Sequence, residues 1–347
     1  MDASLASLLR GHWYDAVVAV LHDQGSGNPH LQQAERLAVA AKRILDLDAE
    51  DFGQIGSAFD SGWARSLEEA SFPLEPRDPQ RGALASLDGL YRLMLEVLEL
   101  RALRHEPLQV VVTAHLIGEY LPQLAWQTRL GHGGDPLRMR ESVGERWGTA
   151  STECPHPSTA RATAKRSLNA CDGDVVGYTA YLDKFHSRLG SALAVCAMNH
   201  ETVAAGERPD VGTTCPTPCA WAVRGELPER RDLDARVRLA LTYQDSAIVA
   251  LRHHAPVGHF FGVPSTSEIA DAWVATWAKL DAPWPDGSNP LHVGAVPGRG
   301  EATEALPGMS RLVSAVAGRP IGPGRIIRTI GDQISAEIDA GLLLGRG

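Results

Sequence analysis

Residues 229–254 read ERRDLDARVRLALTYQDSAIVALRHH, and their apolar positions recur every three or four residues. That period is typical of a helix with one buried face. Pro256 and Gly258 follow closely and predict that the helix ends there. The stretch therefore predicts one long helix that ends in two adjacent histidines, His253 and His254. The residues that share its buried face are Leu233, Val237, Ala240, Leu241, Gln244, Ile248 and Leu251.

Helical periodicity also dominates the rest of the chain, and runs of alternating β-branched residues are almost absent. Pro107 opens a further apolar helix that Pro122 is expected to kink or divide. We expect an all-α fold over residues 1–347, a single domain of about eight or more helices. The other predicted helices cover residues 3–23, 31–47, 83–104, 158–170, 174–205, 265–280 and 323–344, and the long loops cover about 131–157, 206–228 and 281–308.

Composition excludes several classes of function. The net charge of the 347 residues is −9, and no basic run occurs, so a nucleic-acid partner is not expected. The sequence contains no run of about 18 apolar residues, so a membrane span is not expected. The N-terminus lacks the basic and small-residue features of a signal peptide. The five scattered cysteines fit a reducing compartment, which predicts a cytoplasmic protein. A homodimer is possible from the sequence.

Two metal sites can be considered from spacing. Cys215 and Cys219 are separated by three residues, a spacing that zinc sites seldom use. His115 and Glu119 lie four apart and share one helix face, where His115 is expected to point inward and to bond Glu119 or its own turn. A non-haem metal centre would need more ligands, for which His186 and His200 are candidates. The two Glu-x-x-His pairs that di-iron sites of the helical-bundle type use do not occur in the sequence.

The remaining histidines suggest a haem site. His253, His254 and His259 lie within seven positions at the predicted helix end, and a helical wheel places His254 nearer the buried face than His253. His292 stands alone in the apolar, tightly turned segment LHVGAV. Such a setting suits a neutral axial imidazole whose second nitrogen is hydrogen-bonded. A loop histidine with no role is the alternative.

Four segments resemble the haem-dependent aromatic oxygenases, the superfamily of tryptophan 2,3-dioxygenase and the bacterial haem-dependent tyrosine and 3-methyltyrosine hydroxylases. Residues 260–280 are similar to the helix before the proximal ligand, and residues 289–296 would supply that ligand as His292. Residues 297–308 correspond to a Gly-rich loop over the substrate. Residues 110–126 are similar to the distal helix, with its His-x-x-x-Glu pattern. These segments read FFGVPSTSEIADAWVATWAKL, NPLHVGAV, PGRGEATEALPG and VVVTAHLIGEYLPQLAW.

The likeness is greatest to the 3-methyltyrosine hydroxylases of antibiotic pathways, which have two histidines on the iron and a His-x-x-x-Cys motif. Val296 stands where that cysteine would be, so we expect haem b to be held without a covalent bond. The resemblance implies His292 as axial ligand and His253 as a second ligand or distal group.

The implied reaction is the hydroxylation of a tyrosine-type amino acid to a catechol, with peroxide or dioxygen as oxidant, in natural-product biosynthesis. Catalytic roles would fall to His253 or His254, with His259 and His115 orienting the phenol. Arg252 or Arg299 would bind the substrate carboxylate. The alternatives are a helical non-haem oxygenase and a non-catalytic helical binding protein.

Overall fold

The computed structural model describes residues 3–24, 27–71, 86–131, 133, 227–254, 262–293 and 304–344. These residues form α-helices and one 3-10 turn, Ala49–Asp51, and no strand lies among them, which confirms the all-α prediction. The predicted helices 158–170 and 174–205 lie outside this part of the chain. The helices are α1 (Ala3–Arg10), α2 (Tyr14–Gln24), α3 (Pro29–Leu45), α4 (Phe52–Ser57), α5 (Gly62–Glu69), α6 (Asp88–Leu103), α7 (Pro107–Leu130), α8 (Leu227–Gln244), α9 (Ala247–His254), α10 (Thr266–Leu280), α11 (Met309–Ala317) and α12 (Ile326–Leu344).

The chain divides into two compact units. Unit 1 comprises Met1–Phe72, Gly89–Val110 and Pro323–Gly347, and unit 2 comprises Pro73–Asp88 and Val111–Gly322. The single domain expected over residues 1–347 stays a prediction.

Unit 1 is built around the packing of α12 against α3. The four isoleucines that recur along α12, Ile327, Ile330, Ile334 and Ile338, are all buried. Full burial of one such side chain contributes about 1.5–3 kcal/mol. At the start of the helix, the Arg328 backbone N–H donates to Glu96 Oε1 at 3.0 Å. The spacing of the four isoleucines thus places them on one buried face of the helix that was predicted over residues 323–344.

Two predicted helices are interrupted. The helix expected over residues 3–23 stops at Arg10 and resumes at Tyr14, because His12 adopts a left-handed φ of 55°. The helix expected over 229–254 breaks between α8 and α9 at Asp245 and Ser246. Helix continuity is lost there because the Ile248 backbone N–H donates to Thr276 Oγ1 at 3.1 Å. A tertiary contact thus replaces a bond within the helix.

Unit 2 contains α7 from Val111 onward together with α8 to α11. α7 continues through Pro122, so the helix is not divided there. A capping box begins α10, with Ser265 and Glu268 each bonding the other's backbone N–H. After α10, the buried Asn289 donates to the Leu280 and Ala282 carbonyls at 2.8 and 2.9 Å. Asn289 therefore fixes the turn that carries His292.

Among the helices that the structure describes, none combines the length and the apolar character needed to cross a membrane.

Candidate functional site

The candidate site lies in unit 2, where α7 meets α8 and α9. Buried Tyr243 on α8 donates its hydroxyl to the Ala114 carbonyl at 2.9 Å. Burial raises the pKa of that hydroxyl far above its usual range, so it remains a donor. Gln244 adds a bond to the Gly118 carbonyl at 2.8 Å. These contacts fix the end of α8 against α7 and thereby set where α9 begins.

Gly118 allows this close approach. A Cβ atom at that position would lie 3.2 Å from the Tyr243 ring and 3.5 Å from Val249. The distance to Tyr243 is tighter than most real Cβ contacts, so the absence of a side chain at Gly118 lets α8 pack on the α7 backbone. Gly118 stands between His115 and Glu119 on the same helix.

His115 is the centre of the cluster. Its side chain is 12 % exposed, which confirms that it points inward. Its Nε2 atom lies 3.0 Å from Glu119 Oε1, the partner expected from their spacing. The same Nε2 lies 2.6 Å from Nη1 of Arg252, which comes from α9, 137 positions further along the chain.

These two contacts compete for the Nε2 atom of His115. A hydrogen bond from the Arg252 guanidinium requires an unprotonated Nε2, whereas a hydrogen bond to the Glu119 carboxylate requires a protonated one. The other ring nitrogen, Nδ1, is buried and has no hydrogen-bond partner in the structure. A buried polar group without a partner costs about 1–3 kcal/mol, and such groups are often satisfied by a bound ligand or water.

His253 completes the cluster. Its ring centroid lies 6.3 Å from that of His115, with the two rings nearly perpendicular at 82°. The residue is exposed, while Arg252 beside it is half-buried. The cluster of His115, Glu119, Arg252 and His253 therefore runs from a buried imidazole to a solvent-accessible one.

His292 lies in a turn, but its surroundings are less apolar than its sequence neighbours suggest. Its side chain is 43 % exposed. Its Nε2 atom is 2.9 Å from the Asp281 carbonyl oxygen and 3.4 Å from the Asp281 carboxylate. Val293 beside it is 60 % exposed, so the apolar neighbours do not form a wall around the ring.

Several predicted site residues fall outside the described residues: His259, Arg299, Val296, and the side chain of His254. The same holds for His186 and His200, and for the thiols Cys215 and Cys219. The roles assigned to them, and the choice between His253 and His254 as distal group, stay predictions.

The donor chemistry fits a haem iron in one respect. A ligating imidazole usually donates its second N–H to a carbonyl or carboxylate, and Asp281 offers both to His292. Within the described ranges, no group of three or more His, Cys, Asp or Glu side chains could hold a metal ion.

Comparison with known proteins yields no match: no protein-family model, no curated protein and no solved structure is similar to this chain. The resemblance to haem-dependent oxygenases therefore stays a prediction.

Two positioning residues were missed from sequence, Gly118 and Tyr243. A glycine inside an apolar helix was the available signal for Gly118, since it often marks a close helix approach. Nothing in the local pattern distinguishes Tyr243 from an ordinary core residue.

Proposed function

We propose that the chain is a haem-dependent hydroxylase of a tyrosine-type amino acid and that the cluster of His115, Glu119, Arg252 and His253 is its substrate-side centre. One observation supports this more than any other. Three residues predicted from two separate segments, His115, Arg252 and His253, meet at one place in unit 2.

Arg252 is suited to bind the substrate carboxylate. A guanidinium has five N–H donors, and the bond to His115 uses one of them. That bond also limits the rotamers of Arg252, so less side-chain entropy would be lost on binding. A carboxylate could then accept two parallel N–H bonds.

His253 is suited to move a proton at the oxidant. It is the exposed imidazole of the cluster, and imidazole is the side chain that most readily exchanges protons near neutral pH. The balanced reaction is phenol plus hydrogen peroxide to catechol plus water. Hydrogen peroxide would be the two-electron oxidant. His292, and His253 in its second role, would hold the haem, which would activate that peroxide.

The test is catechol formation by the full chain after haemin is added, with tyrosine or 3-methyltyrosine and peroxide. Arg252→Ala is expected to raise KM about tenfold or more, because it removes a charge-assisted pair to the substrate. His253→Ala is expected to lower kcat instead. Arg238→Ala, which removes another arginine of unit 2 that stacks on Trp284, is the matched control and should change neither.

Three outcomes would separate the rivals. Absence of product from the haem-loaded chain would overturn the hydroxylase. Iron or manganese bound without haem, and lost in Glu119→Gln, would favour the non-haem oxygenase. A chain that binds neither haem nor metal would favour the non-catalytic binding protein.

A further inference from the structure

A second feature of unit 2 is a cavity of about 400 Å³ between α8, the turn at residues 288–293 and α11. Its lining includes Arg231, Arg236 and Arg311, and among the residues that the structure describes Asp232 is the one carboxylate there. Leu291 and Val293 contribute an apolar wall on the His292 turn. None of the residues of the His115 cluster lines it.

Arg236 is fixed at one side of this cavity. It forms an ion pair with Asp232, four positions earlier on α8. Its Nη1 atom donates to the Ala317 carbonyl at 3.4 Å, at the end of α11. The guanidinium lies directly over Gly318, where a Cβ atom would come within 1.7 Å of Nη1. Only a glycine at 318 leaves room for this position.

Arg311 is fixed from the other side. Its Nη2 atom donates to the Leu291 carbonyl at 2.7 Å. Arg231, by contrast, is exposed at the rim of the cavity. Among the described residues, three guanidiniums and one carboxylate line the cavity, which gives this lining two net positive charges in a chain whose net charge is −9.

We infer that this cavity binds an organic phosphate: a phosphate monoester with a small apolar body. A phosphate monoester carries about −1.5 to −2 charges at pH 7, which matches the charge of the lining better than a monocarboxylate does. Arginine forks bind phosphate oxygens in pairs, and hydrogen bonds to backbone carbonyls already orient Arg236 and Arg311. The apolar body would lie against Leu291 and Val293.

A purely structural role explains only part of this arrangement. Arg236 at the last turn of α11 offsets the negative end of that helix, as basic residues commonly do. That role requires neither Arg231 nor Arg311 at the same cavity. The phosphate site accounts for all three.

The test is isothermal titration calorimetry of the full chain with phenyl phosphate, inorganic phosphate and benzoate. Phenyl phosphate is expected to bind more tightly than either of the others, since it alone meets both the charge and the apolar wall. Arg231→Gln is expected to weaken it about fivefold, the scale of one partly exposed ion pair. Arg231 is exposed, so its replacement should not disturb folding.

Arg238→Gln on the same helix removes an equal charge outside the cavity and is the control. Unchanged affinity in that variant supports the site. The inference is overturned if phenyl phosphate gives no binding heat, if benzoate binds equally well, or if the two arginine variants lose the same affinity.

Discussion

The bond between His115 and Arg252 should be measurable as an energetic coupling. The pair joins two helices through a single contact of 2.6 Å, with the imidazole 12 % exposed and the guanidinium half-buried. Hydrogen bonds to charged groups contribute about 1.5–3 kcal/mol, and partial exposure of Arg252 reduces that to about 1 kcal/mol. The free energies of unfolding of His115→Ala, Arg252→Ala and the double variant should therefore differ from additivity by about 1 kcal/mol.

The assay is urea unfolding followed by circular dichroism at 222 nm, with a common slope fitted to all variants. The control cycle combines His115→Ala with Arg238→Ala, because Arg238 pairs with Asp286 and shares no partner with His115. That cycle should be additive within about 0.5 kcal/mol. Equal coupling energies in the two cycles would refute the claim that Arg252 and His115 form one unit.

Three further predictions concern the framework. Ile334→Ala should lower the free energy of unfolding, measured by urea titration, by about 2–5 kcal/mol, because it leaves a cavity in the unit 1 core. Leu343 lies on the same helix and is 75 % exposed, so Leu343→Ala should change that free energy little. Burial raises the pKa of Glu96 above its ordinary value of 4.5. Ionising this carboxylate therefore costs more free energy in the folded state than in the unfolded state. As pH rises from 4 to 7, the free energy of unfolding of wild type should fall relative to that of Glu96→Gln. Parallel pH profiles of the two proteins would contradict this. Gly318→Ala should lower the melting temperature, because φ is 69° there and a methyl would displace Arg236; an unchanged value would contradict the packing.

The register of the helices could be predicted from the sequence because each buries one face. The isoleucines of α12 and the capping box of α10 are examples in which a local pattern determines the outcome. The breaks at His12 and at Asp245–Ser246 could not be predicted in this way. The second depends on Thr276, a residue distant in sequence whose hydroxyl accepts a backbone N–H of α9.

The candidate site shows the same division. The contact of His115 with Glu119 follows from helical spacing alone. The contact with Arg252 needs the packing of α8 on α7, which rests on Gly118 and on the Tyr243 hydroxyl. For His292, apolar neighbours in sequence suggested enclosure. The turn held by Asn289 instead leaves the ring half-exposed and directed at Asp281.

The most direct test of the account is a haemin titration of the purified chain, followed by its absorption spectrum. If His292 and His253 hold a haem, the chain should bind one haem, with a Soret band that is lost or shifted in His292→Ala and altered in His253→Ala. His22→Ala, which removes an exposed histidine of unit 1, should leave the spectrum unchanged. A chain that stays colourless, or spectra that are identical in all three variants and wild type, would contradict the account.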